Sequence, residues 1–95
     1  MNKEKIEIPR TTLDFYTYEK EGITYYEFDA TECSPPEPMV NAVVALNNLK
    51  DDKQRLIGTF FHIPTPLFER IKDKYSFEIE ELQSGDFRIE FKIAK

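Results

Sequence analysis

The sequence predicts an α/β (α+β) fold, a two-layer sandwich in which a mixed sheet carries two helices on one face. Three observations predict it. Runs rich in β-branched and aromatic residues lie toward both ends of the chain, separated by glycine-containing turns. Between them lie two proline-started segments with apolar residues at helical spacing. The order is then hairpin, helix, strand, helix, hairpin. A strand–helix–strand unit followed by helix and hairpin most simply puts both helices on the same side of the sheet.

Residues 1–12 read as an N-terminal arm. Ile6 and Ile8 alternate with charges until Pro9 interrupts, the pattern of a short edge strand. Residues 13–95 read as a single domain. Residues 13–18 (Leu13, Phe15, Tyr16, Tyr18) and 23–30 (Ile23, Tyr25, Tyr26, Phe28) form two β-rich runs. A four-residue polar loop, Glu19-Lys20-Glu21-Gly22, joins them into a hairpin. No strand interior tolerates Pro35, Pro36 and Pro38 together, but a helix start does, because its first amides lack intrahelical partners. Ser34 and Glu37 have capping-box spacing. Met39, Val40, Val43, Val44, Leu46 and Leu49 then fall on one face, predicting a helix over 36–49.

Residues 55–62 carry apolar side chains on both alternation phases (Leu56, Ile57, Phe60, Phe61), as in a central strand. Thr65 as N-cap and Pro66 at the first helical position start a second helix, striped by Leu67, Phe68, Ile71 and Tyr75. Phe77 and Ile79 open a strand, residues 83–86 turn, and Phe87, Ile89, Phe91 and Ile93 alternate with polar residues. That last strand has one buried and one wet face.

Composition narrows the function classes. The chain has 95 residues, enough for one small domain. Aromatics at 14% argue against disorder, and only 3 glycines leave no glycine-rich phosphate cradle. A net charge of −5 disfavours nucleic acid as a partner. No apolar run approaches the roughly 20 residues of a membrane span. The first residues lack an apolar signal core, and one cysteine excludes an internal disulfide, so a cytoplasmic location is expected. No cofactor is expected.

The candidate site residues cluster at the two proline-rich segments. A thiol near a helix start, such as Cys33, can be a nucleophile or sulfur carrier, but Glu32 and Glu37 flank it and oppose the thiolate. The plain alternative is an unreactive loop thiol. His62 stands at the end of a strand, where α/β sheets place ligands, and otherwise simply ties down its loop. One His and one Cys do not complete a metal site, so no metal is expected. Helix amides near Glu37 and Met39 could hold an anion. Glu80 and Glu81 are adjacent in a strand, point to opposite faces and form no acid–base pair. The aromatic hairpin, if one ring set faces outward, offers a homodimer surface unless the arm folds over it.

Phe28-Asp29-Ala30-Thr31, followed by Pro36-Glu37-Pro38 at a helix start, resembles the TusA/SirA-like superfamily over about residues 25 to 94. The resemblance implies a β-α-β-α-β-β two-layer sandwich, to which residues 13–18 add an extra N-terminal strand. Pro35-Pro36-Glu37-Pro38 and His62-Ile63-Pro64-Thr65-Pro66-Leu67 resemble most closely a branch of small bacterial domains of unknown function. Members of that branch sometimes accompany redox-associated domains. In the superfamily's sulfur carriers the reactive cysteine directly precedes Pro-x-Pro; here Pro35 holds that position and Cys33 lies two residues upstream. The resemblance implies an accessory or binding domain acting on a protein partner through the 31–38 and 62–67 loops. Its contacts would be Cys33, Ser34, Pro36, Glu37, Pro38, His62, Pro64 and Pro66. The alternatives are a sulfur carrier using Cys33 and a homodimer through the hairpin.

Overall fold

A computed structural model describes residues 3–94. The elements are β1 (Glu4–Ile6), β2 (Phe15–Lys20), β3 (Ile23–Ala30), α1 (Glu37–Leu46), β4 (Gln54–Phe60), α2 (Thr65–Ile71), β5 (Tyr75–Glu81) and β6 (Phe87–Ile93). The strands form one six-stranded sheet in the order β1-β2-β3-β4-β6-β5. Only β3 and β4 run parallel; every other neighbouring pair is antiparallel. The fold is therefore the expected α+β sandwich on a mixed sheet. The arm adds β1, so two strands precede β3.

Alternation sorts the sheet into two faces. Phe15, Phe28, Leu56, Phe60, Ile89 and Phe91 form one core with Ala42, Ala45 and Leu46 of α1 and Leu67 and Ile71 of α2. Both helices thus lie on one side. Tyr16, Tyr18 and Tyr25 point to the opposite, open side, where the Tyr18 and Tyr25 rings stack at 5.1 Å. Ile57 also faces that side. It is buried beside its cross-strand partners Glu27 and Glu90, as a central strand requires.

Local chemistry moves several element ends from their expected places. Lys20 pairs with Ile23, so the hairpin turn holds two residues rather than four. Glu21 and Gly22 both take positive φ, +55° and +81°, the combination a type I′ turn needs to match strand twist. Helix α1 starts at Glu37, one residue later than expected, with Pro36 as its N-cap. No side chain caps it; the Ser34 carbonyl, not its hydroxyl, accepts the Glu37 amide at 3.0 Å. Likewise Pro64, not Thr65, caps α2, its carbonyl accepting the Leu67 amide at 2.9 Å.

Helix α1 ends at Leu46, three residues early, because its last carbonyls find other donors. Asn48 Nδ2 donates to the Val44 carbonyl at 2.9 Å and the Tyr75 hydroxyl to the Leu46 carbonyl at 3.0 Å. Tyr75 was expected on the stripe of α2; it starts β5 instead, and this bond fixes it there.

Two residues carry packing that no periodicity announces. Gly58 sits mid-strand in β4, where an added Cβ would come within 2.7 Å of the Phe60 ring and 2.9 Å of the Phe28 ring. Those rings meet edge to face at 5.7 Å. Asn41 is fully buried in α1. Its Oδ1 accepts the amides of Thr12 (2.8 Å) and Leu13 (3.2 Å), and its Nδ2 donates to Thr12 Oγ1 and the Glu37 carbonyl, both at 2.9 Å. This one side chain pins the segment before β2 onto the helix layer.

Gly58→Ala should lower the unfolding free energy by about 2 kcal/mol, the usual scale of overpacking, as read from the urea midpoint. A change below about 0.5 kcal/mol would show the rings yielding freely. Asn41→Ala should lose about 2–3 kcal/mol by orphaning buried amides, and should speed hydrogen exchange at Thr12 and Leu13 above other β2-side amides. Unchanged exchange there would contradict the pinning role.

Candidate functional site

Parallel pairing decides where the two proline segments emerge. Ala30, the last residue of β3, is the register partner of Phe60, the last of β4. Both following loops therefore leave the same end of the sheet, the carboxyl end, where open α/β sheets bind ligands. The first loop is held by short local bonds. Asp29 Oδ1 accepts the Thr31 amide at 2.9 Å and the Thr31 hydroxyl at 2.7 Å, and the Cys33 amide donates to the Ala30 carbonyl at 3.4 Å. In the second loop the Thr65 amide donates to the Ile63 carbonyl at 2.9 Å.

Between the loops lies a cleft of about 430 Å³. Ala30, Phe60 and Leu67, all buried, stand at its base. One wall is Pro35, Pro36, Pro38 and Met39; the other is Ile63, Pro64 and Pro66. Its polar groups are Cys33, Ser34 and His62, and the His62 ring lies 4.4 Å from the ring of Phe61. The structure thus gathers Cys33, Ser34, Pro36, Pro38, His62, Pro64 and Pro66 around one apolar space.

Glu37 is placed elsewhere. It lines an adjoining broad recess of about 1000 Å³, together with Asp14, Glu27, Asp29 and Glu32. Its Oε2 accepts the Thr12 hydroxyl. Cys33 lines both spaces. The amide of Glu37, expected to be free for an anion, is taken by the Ser34 carbonyl, and the surrounding carboxylates repel negative charge.

Burial pushes the Cys33 thiol above its ordinary pKa, and the nearby Glu37, Asp29 and Glu32 carboxylates add to the rise. At neutral pH the group is the protonated thiol, a poor nucleophile. Among the described residues no group of three or more His, Cys, Asp or Glu is placed to hold a metal ion. Among them, too, no helix is long and apolar enough to cross a membrane.

Phe61, Ile63 and Met39 also line the cleft, although the sequence places Phe61 in a strand, Met39 on a helix face and Ile63 only within a motif, with no side-chain role in a site. The available signal was two large apolar residues, Phe61 and Ile63, standing in a loop rich in proline. Both are exposed, Phe61 at 58% and Ile63 at 41%. No protein-family model matches the chain, and no curated protein or solved structure matches it either.

Alkylation of Cys33 by iodoacetamide should accelerate with a pH midpoint above that of a free cysteine, since only the thiolate reacts. Glu37→Gln should move the midpoint down by removing one opposing charge while leaving an acceptor for Thr12. A midpoint at or below that of glutathione under the same conditions would contradict the electrostatic account.

Proposed function

We propose that this chain is a small TusA-like accessory domain of the cytoplasm, which binds a partner protein through the cleft between its 31–38 and 62–67 loops. The supporting observation is that parallel pairing of β3 and β4 brings both proline motifs to one apolar cleft. The β3-α1-β4-α2-β5-β6 order is the one the family resemblance implies, with β1 and β2 as additions. Apolar walls stiffened by proline lose little entropy on binding, which suits recognition better than bond-making chemistry.

Two observations weigh against the alternatives. A sulfur carrier needs an accessible thiolate, whereas the Cys33 thiol is held protonated by burial and by three carboxylates. A dimer through the aromatic hairpin would use Tyr16, Tyr18 and Tyr25, and Lys3, paired with Glu27, lies over the Tyr18 ring at 5.6 Å, which leaves Tyr16 as the exposed ring of that surface.

Incubation with a cysteine desulfurase and cysteine, followed by intact-mass measurement, separates binding from sulfur transfer. The binding reading expects no added sulfur. A gain of one sulfur atom, absent in Cys33→Ser, would overturn it. His62 is exposed, so His62→Ala should change the unfolding free energy by less than about 0.5 kcal/mol. A loss above about 2 kcal/mol would make His62 a structural tie instead.

A further inference from the structure

The apolar cleft and the carboxylate-lined recess are adjacent, and Cys33 stands in the wall between them. We infer that the two together form one docking surface for a partner-protein segment that presents an apolar side chain flanked by lysine or arginine residues. This rests on the cleft being the binding site and adds the chemistry of what binds there.

Charge complementarity carries the inference. The recess is lined by five carboxylates, Asp14, Glu27, Asp29, Glu32 and Glu37, against the single ammonium of Lys3. Lys3 pairs with Glu27, and Lys5 lies 3.4 Å from Asp14. Asp29, Glu32 and Glu37 have no cation partner among the described ion pairs, and they are the carboxylates close enough to act on the Cys33 thiol. A phosphate, a nucleic acid or an acidic peptide would meet repulsion at this rim.

The shape of the surface favours a protein segment over a small molecule. A cleft of about 430 Å³ is the size of an ordinary small-molecule pocket and also takes a large apolar side chain, so the choice rests on what lies around it. Phe61 and Ile63 line the cleft and remain largely exposed, so its apolar surface is open at the side where a chain segment would continue. A segment running from the mouth past Cys33 reaches the carboxylates within a few residues, because the two spaces share that wall.

The test is titration of the full-length protein, followed by amide chemical shifts, with three amidated peptides acetylated at their N-termini. They are Lys-Lys-Phe-Lys-Lys, Glu-Glu-Phe-Glu-Glu and Lys-Lys-Ser-Lys-Lys. The first should shift amides of 31–38 and 61–67 and bind at least about fivefold more tightly than either other peptide at low salt. Its affinity should fall with added salt, and should fall severalfold in Glu32→Lys, whose site is exposed. Equal binding of the acidic peptide at the same amides would overturn the charge inference and leave the cleft as the site. Equal binding of the serine peptide would overturn the need for an apolar anchor. Shifts confined to the open sheet face, or none with any peptide, would overturn both the inference and the cleft reading.

Discussion

The parallel pairing of β3 with β4 is the constraint on which the rest of the molecule depends. Antiparallel neighbours would send the two loops to opposite ends of the sheet. Parallel neighbours need a crossover, which α1 supplies, and they send both carboxyl ends the same way. Once Ala30 and Phe60 stand side by side, the proline segments that follow them must face each other across the sheet end. The cleft is therefore a consequence of topology, and prolines fix its walls.

Packing then holds that pairing in place. Phe28 and Phe60 project from the parallel strands onto the helix side, and Gly58 leaves the space in which their rings meet. Asn41 ties the segment before β2 to α1 with a fully satisfied set of hydrogen bonds. A buried amide with every partner in place favours one docking geometry over near alternatives. The segment leading into the hairpin and the first turn of the crossover helix are thereby fixed to one another.

Much of the architecture was legible in the sequence because period and punctuation agreed. Pro35, Pro36 and Pro38 before an amphipathic run, and alternation from Phe87 to Ile93, each admit essentially one element type. The ends of elements were less legible, because they depend on partners distant in sequence. The Leu46 carbonyl is satisfied by Tyr75, and no local pattern announces a bond across that separation. The turn at Glu21-Gly22 shortened because Glu19 and Lys20, polar in sequence, still had Thr24 and Ile23 to pair with. In the site, the proline, cysteine and histidine positions were legible as motifs. Their sharing of one surface came only with the family resemblance; no local pattern announces it, since it depends on β3 and β4 being parallel neighbours. Glu37 illustrates the difference: it belongs to the same motif as Pro36 and Pro38, yet its carboxylate turns toward Thr12 and the neighbouring recess.

The cleft exists only if the two loops share one end of the sheet. Cys33 is the chain's one cysteine, so a nitroxide can be attached there without any substitution. Paramagnetic broadening of backbone amide signals then measures distance from that point. The seven residues of β4 span about 20 Å. Strong broadening at 61–67 with sharp signals at 51–54 is the predicted result. Equal broadening at both ends of β4, or stronger broadening at 51–54, would contradict the parallel arrangement and the cleft built on it.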